Sequence, residues 1–330
     1  AVLDTEDRRS TSPMPSRAPV MRTLPGDLRL IHPLAEGSFG QVYIGEQPTL
    51  GRRVAVKVLK QPVEEGTRRW RLFRNEVHSL GRISHPNVVR IHTADFTEDG
   101  RPFYAMELVR GGTLRERLRD GGLPERDAIE IMLQILAGLQ AAHDVGVFHG
   151  DLKPENILVE QGNGRVVLVD FGLARWANAE DEPVPFTHAY VAPEQRKTGR
   201  PTTVADLYAA GLILVELLTG WRRSTAQPTP PPDWLLNSVE PRVAAAVGKA
   251  THSDPAQRFQ DARTFREALG HRSVVTALAT GDAPAFRWLS AYTQNDASRF
   301  FGRDSEAARL VDQILFNRLV VVTAASGVGK

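Results

Sequence analysis

Asp151, Asn156 and Asp170 are the residues best placed to do chemistry together, in His149-Gly150-Asp151-Leu152-Lys153-Pro154-Glu155-Asn156 and Asp170-Phe171-Gly172. One base and two oxygen ligands for a hard cation read as a phosphotransferase site. The transition state of phosphoryl transfer is loose and highly charged, so a protein contributes mainly position and electrostatic stabilisation. It needs divalent metal, a lysine on the phosphates and a carboxylate at the nucleophile. Asp151 would orient an attacking hydroxyl and receive its proton. Asn156, turned by a short loop, and Asp170 would offer oxygens to Mg²⁺, which prefers such ligands.

These side chains need elements to hold them. Ile157 to Glu160 and Arg165 to Asp170 are apolar, β-branched runs around Gly162-Asn163-Gly164, a pattern that predicts a hairpin carrying both metal ligands. Upstream, Leu34 to Val42 holds Ala35, Gly37 and Gly40 between strand-like Leu28 to Leu34 and a second strand-like run. That is the setting of a glycine loop folded over phosphates. Gly37 and Gly40 would serve equally as turn glycines were Lys57 not downstream. Val54-Ala55-Val56-Lys57 alternates like a strand that delivers one mobile positive charge to the α- and β-phosphates. Glu76, in helix-like Arg68 to Leu80, is a candidate partner for that lysine. His149 reads as structural, because the nine histidines form no cluster at ligand spacing.

In this order the motifs resemble those of the eukaryotic-type Ser/Thr protein kinases, found also in bacteria, over Asp27 to Gly270. The resemblance implies an α+β, two-lobed protein-kinase fold with a β-rich small lobe (27–107) and a helical large lobe (108–270). ATP and Mg²⁺ would occupy the cleft as cofactors. It makes Asp151 the catalytic aspartate, Lys153 a γ-phosphate contact, Asn156 and Asp170 the metal ligands, and Lys57 the phosphate-binding lysine with Glu76 beside it. Ala35, Gly37, Gly40, Val42 and Ala55 would line the nucleotide, Met106 would be the gatekeeper, and Glu107 to Val109 the hinge. Ala192-Pro193-Glu194 is similar to the segment closing the activation loop, Arg258 to the arginine that pairs with its glutamate, and Asp206 to the aspartate that braces the catalytic loop. Lys153 favours a Ser/Thr acceptor over Tyr.

Two positions depart from the family pattern. Ala35 stands where glycine is usual, a one-methyl obstruction that bears on nucleotide affinity rather than mechanism. Gly150 stands where arginine is usual, which removes a receptor for activation-loop phosphate. From Leu173 to Val191 the only hydroxyl residues are Thr187 and Tyr190, and Thr187 matches a structural threonine. Activity independent of loop phosphorylation is the expectation, with Glu180-Asp181-Glu182 read as a solvated acidic segment.

Composition narrows the setting. The 330 residues are 42% hydrophobic and 24% charged, enough for one large bilobal core or two domains. The net charge of +2, with no patch mixing basic and aromatic residues, gives no support to nucleic-acid binding. Arg68, Arg69, Arg71 and Arg74 read as a solvated helix face. The absence of cysteine excludes disulfides and thiolate metal sites and suits a cytoplasmic location. No apolar run is long enough to span a bilayer, so no membrane anchor is expected in this fragment; Tyr208 to Leu218 reads as a buried helix. Ala1 to Gly26, rich in Ser, Pro, Thr and charge, is expected to be a flexible leader, and Gln227 to Pro232 a loop.

Beyond a linker at 271–285, residues 286–330 carry a second pattern. Phe300-Phe301-Gly302-Arg303, a helix-like Ser305 to Phe316 and an apolar Leu319 to Thr323 precede Ala324-Ala325-Ser326-Gly327-Val328-Gly329-Lys330. The last run has the strand-then-loop context and final Gly-Lys of a P-loop, with alanine for the first glycine and the Ser/Thr position lying past the end. The segment resembles the start of a STAND-class P-loop NTPase, an α/β domain truncated here. Such a stump could not hydrolyse ATP by itself.

The residues thus point to an ATP- and Mg²⁺-dependent protein kinase whose partners are a protein with a Ser/Thr acceptor and its own C-terminal NTPase module. Other readings lead to different observations. A small-molecule phosphotransferase would act on metabolites with no protein acceptor. A pseudokinase serving as a regulatory or binding module would bind nucleotide without Mg²⁺ and without turnover. An assembly scaffold would keep its cellular function after Asp170→Ala.

Overall fold

A computed structural model describes residues 22–37, 40–171, 189–222, 237 and 239–270. The chain divides into two units, Ala1–Arg272 and Ser273–Lys330. The second unit lies outside the described residues, and with it the expected linker, helix, strand and P-loop. So do Ser38, Phe39 and residues 172–188, with Thr187 and the acidic cluster.

The first unit begins with a six-stranded antiparallel sheet in the order β1 (Arg22–Leu24), β2 (Leu28–Glu36), β3 (Gly40–Gln47), β4 (Arg52–Leu59), β6 (Pro102–Glu107), β5 (Ile91–Phe96). The leader expected through Gly26 therefore ends earlier than the sequence suggested. Gly26 and Asp27 adopt positive φ (79° and 55°) and turn the chain back, so that Leu24 pairs with Leu28 and both are buried. Two leucines placed under a sheet outweigh the polar composition before them.

Strand periodicity decides which side each residue serves. Val54, Val56 and Val58 of β4 pack with Phe103 and Ala105 of β6 and with Leu24, Leu28 and Leu30. Their alternates, Ala55, Tyr104 and Met106, join the core cluster that continues into the rest of the unit. Lys57 falls on this second face, opposite Tyr104 in the β4–β6 ladder. Helix α1 (Arg68–Gly81) covers this face with Phe73 and Leu80, its first turn capped by the Thr67 side chain.

The remainder is mainly helical: α2 (Leu114–Arg117), α3 (Glu125–His143), α4 (Pro193–Thr198), α5 (Thr203–Thr219), α6 (Pro241–Ala250) and α7 (Ala262–Gly270). Helix α5 is apolar around its circumference except at Asp206 and Glu216, and each residue from Ala205 to Leu217 is buried, as a helix enclosed on all sides requires. Thr202 caps its start, and Gly220, left-handed at φ 72°, ends it. None of the helices among the described residues is long and apolar enough to cross a membrane. A small sheet joins β7 (Gly111–Thr113), β8 (Ile157–Glu160) and β9 (Val166–Leu168). The β8–β9 pair is the hairpin read from the sequence, turned by Gly162 and Gly164 at positive φ. Its second strand docks on the small lobe: Val88 bridges Leu168, and the Asn87 side chain donates to the Val166 carbonyl at 2.7 Å.

Candidate active site

Lys57 and Asp170, far apart in sequence, meet with Nζ 2.6 Å from Oδ1. Strand β4 delivers the lysine, and the end of the β8–β9 hairpin delivers the aspartate, which sits at φ 60°, a left-handed conformation unusual for a residue with a side chain. Strain of that kind persists where surrounding contacts over-determine it. The Tyr104 hydroxyl also donates to Asp170, at 3.2 Å. Burial would raise the Asp170 pKa, but the Lys57 charge and hydrogen bond, with the Tyr104 bond, outweigh it and hold the carboxyl below its usual value. Tyr104 is pushed the other way, first by burial and then by Asp170. Glu76, on α1, lies near enough to add to that push.

Asp151, Lys153 and Asn156 form a second group on the loop leading into β8. Lys153 Nζ is 2.6 Å from Asp151 Oδ2, and the Asn156 amide nitrogen donates to the Asp151 carbonyl (2.9 Å) and carboxylate (3.3 Å). A 3-10 turn at Pro154–Asn156 places Asn156 just before β8, and the Val169 N–H donates to the Asn156 carbonyl at 3.0 Å. The hairpin therefore holds the backbones at both expected metal ligands side by side. With the Asn156 nitrogen committed to Asp151, its amide oxygen is the atom left for a cation. The described residues contain no cluster of three or more His, Cys, Asp or Glu that could hold a metal. An amide oxygen and a carboxylate instead suit Mg²⁺, which takes one or two protein oxygens and fills its shell with phosphate and water.

The loop that leads into Asp151 is braced by a buried carboxylate. Buried Asp206 accepts from the backbone N–H groups of His149 and Gly150, both at 2.8 Å, and lies 2.9 Å from His143 Nε2. Gly150 is left-handed at φ 75°, and its carbonyl accepts from the Gln195 side chain at 2.8 Å. Glycine suits that backbone better than the arginine usual there. His149 packs on Phe171, ring centres 4.7 Å apart, and burial lowers its pKa despite the nearby Asp206, Asp151 and Asp170 charges. Further out, Arg258 meets Glu194 through two bonds of 2.8 and 2.9 Å, also donates to the carbonyls of His252 and Ser253, and lies over the Tyr208 ring.

The other expected residues are less tightly held. Ala35 and Gly37 are exposed near the end of β2, and a Gly37 N–H to Gly40 carbonyl bond of 2.9 Å closes the turn. Gly40 is the exception, since a Cβ there would lie 2.5 Å from the Val58 carbonyl. Val42 on β3 is half-buried, and Ala55 on β4 is buried. Glu107 and Val109 follow Met106, the expected gatekeeper, and the Glu107 side chain is taken by Arg165, so any nucleotide contact it makes would use its backbone.

Sequence reading missed Tyr104, Arg115 and Arg165. Tyr104 carries the only hydroxyl on an apolar strand, a signal that becomes legible once the strand register is known. Arg115 on α2 joins Glu155, Glu216 and the Tyr190 hydroxyl in one network, with a 2.8 Å bond to Glu155. Those partners are scattered along the chain, and no local pattern announces them.

Comparison with known proteins gives the family and the fold. The protein kinase domain family matches residues 28–231. The chain belongs to the protein kinase family. A second match, to the family described as Novel STAND NTPase 1, covers residues 285–330. The serine/threonine-protein kinase pkn2 of Myxococcus xanthus is 32% identical over 300 residues, 82% of this chain and 35% of that one. The serine/threonine-protein kinase PknL of Mycobacterium tuberculosis is 34% identical over 247 residues, 69% of this chain and 61% of that one. The chain thus spans between about a third and three fifths of these relatives. The crystal structure of the Mycobacterium tuberculosis PknI kinase domain superposes with a TM-score of 0.63 at 25% identity, over 76% of this chain and 97% of that domain. The fold is that of a protein kinase, with a β-rich small lobe and a helical large lobe, and its relatives are bacterial serine/threonine kinases.

Proposed function

We propose that this kinase domain transfers the γ-phosphoryl group of ATP, with Mg²⁺, to a serine or threonine hydroxyl of a protein in the cytoplasm, where ATP is supplied. The observation that carries the proposal is the Lys57–Asp170 pair at 2.6 Å, which brings a phosphate-binding cation to a metal-binding carboxylate. Lys57 holds the α- and β-phosphates, and Lys153 neutralises charge on the transferred group. Asp151 orients the acceptor hydroxyl and takes its proton, with Lys153 and Asn156 fixing its carboxylate. Mg²⁺ bound by Asn156 and Asp170 would supply electrostatic stabilisation of the phosphates. Glu76 supports Lys57, while the backbone of Glu107 to Val109 receives the base between Ala35, Val42 and Ala55.

The Gly150 backbone favours an enzyme that works without activation-loop phosphate, because the guanidinium that would receive such a phosphate is missing. The match at residues 285–330 supports regulation by a STAND-type NTPase module in the same protein. Incubation with labelled ATP, Mg²⁺ and a general protein acceptor, beside Lys57→Met and Asp151→Asn, tests the central reading. Equal labelling in all three would defeat it. Phosphatase treatment that silences the enzyme would defeat phosphorylation independence.

A further inference from the structure

Arg165 stands immediately before β9, where it makes contacts that the proposed chemistry does not use. Its guanidinium pairs with Glu107 and, at 3.0 Å, with Glu160, and reaches the Pro86 carbonyl at 3.3 Å. Three segments are thereby tied to one side chain: the hinge, the β8–β9 hairpin and the loop before β5. Burial would weaken the guanidinium's hold on its proton, but the bonds from Glu107 and Glu160 outweigh it and raise its pKa. The cation is permanent at any working pH.

Position gives this tie its meaning. Glu107 is fixed on the other side by its own N–H, which donates to the Arg90 carbonyl at 2.9 Å. The hairpin to which Arg165 belongs carries Asn156 immediately before β8 and Asp170 just after β9. Only β9 and Val169 lie between Arg165 and Asp170. The base-binding hinge and the metal-binding carboxylate are thus the two ends of one braced unit. A nucleotide that touches both must match the spacing between them, and alignment of two fixed ends is where preorganisation contributes most to binding.

We infer that Arg165 is a positioning residue for the nucleotide, setting the distance between the hinge at Glu107 and the metal ligands of the β8–β9 hairpin. The inference rests on the kinase reading of this site. Loss of Arg165 leaves other ties between the lobes intact, namely the Asn87 bond to Val166 and the Val88–Leu168 bridge. The variant protein therefore keeps its fold while the spacing relaxes.

Nucleotide affinity, measured by calorimetry on the intact chain, tests this. Arg165→Ala should weaken MgATP binding roughly 3- to 10-fold. Adenosine alone and Mg²⁺-tripolyphosphate, which each engage one end, should bind as in the wild type. Arg165→Lys, which keeps one bond to Glu107, should recover part of the loss. Glu107→Gln should weaken MgATP similarly, and the double variant should be no weaker than the worse single one, because the two act as a unit. Equal weakening of all three ligands would reduce Arg165 to a structural role, and unchanged MgATP affinity, or a raised turnover with unchanged affinity, would overturn the inference. A wild-type chain that binds no MgATP would sink the kinase reading along with it. A wild type that binds, beside an indifferent Arg165→Ala, sinks the positioning role alone.

Discussion

In the large lobe the charges that brace its loops and helices are enclosed. Asp206, Glu216 and Arg258 are at most 3% exposed, and each has two or more partners. On the small lobe the edge that would cover a nucleotide is open: Leu34 is 54% exposed, and Ala35, Glu36 and Gly37 face solvent beside it. The contrast separates two tasks. In the proposed reaction a base and its loop must stay in one geometry through every turnover, which buried, fully bonded groups secure. A flap over phosphates must admit and release its ligand, and few buried contacts keep its local opening inexpensive. Lys57 and Asp170 stand at the boundary, one strand-borne and 11% exposed at its side chain, the other 31% exposed.

The sharpest test of this division is chemical. Asp151→Asn should lower phosphoryl transfer by about 10²- to 10⁴-fold, the usual worth of a positioned base, with melting temperature nearly unchanged. A large loss of stability would mean that Asp151 belongs to the frame rather than to the chemistry. Within the frame, Arg258→Ala leaves Glu194 without its partner and two carbonyls without donors, so unfolding in denaturant should show a loss of about 3 kcal/mol. A change below about 1 kcal/mol would show that the enclosed charges matter less than their burial suggests.

Gly150→Arg places a side chain on a left-handed backbone beneath Asp151 and should cost about 1–2 kcal/mol by the same measurement. The pH dependence separates the regions further. Burial holds the His149 pKa below its ordinary value, so the unfolded chain takes up a proton first as pH falls, and stability drops below about pH 6.5. His85 and His92, also lowered by burial, act in the same sense. His149→Phe should make the melting temperature fall less between pH 7.5 and 5.5, and an unaltered slope would place the proton uptake elsewhere. On the open edge, Leu34→Ala should change stability by no more than about 0.5 kcal/mol. A larger loss would mean that the flap is held by more than its exposure shows.

Much of this architecture is legible from local pattern. The alternation from Val54 to Lys57, the Gly162-Asn163-Gly164 turn and the largely apolar run in α5 each state a period or a turn chemistry that nearby residues enforce. The order of motifs from Gly37 to Arg258 carries the family, because each residue type answers one need of phosphoryl transfer. The start of the sheet was less legible: Leu24 belongs to it only because a three-residue turn, Pro25 to Asp27, lets it pair with Leu28.

The amino-acid order therefore settles the set of chemical groups, their local elements and the family. Packing settles that Tyr104 donates to Asp170, that Arg165 ties Glu107 to the β8–β9 hairpin, and that Arg115 gathers Glu155, Glu216 and Tyr190. The difference is one of range. Periodicity and turn chemistry act over a few neighbouring residues, whereas a buried charge takes whichever partner packing brings within about 3 Å, however distant along the chain.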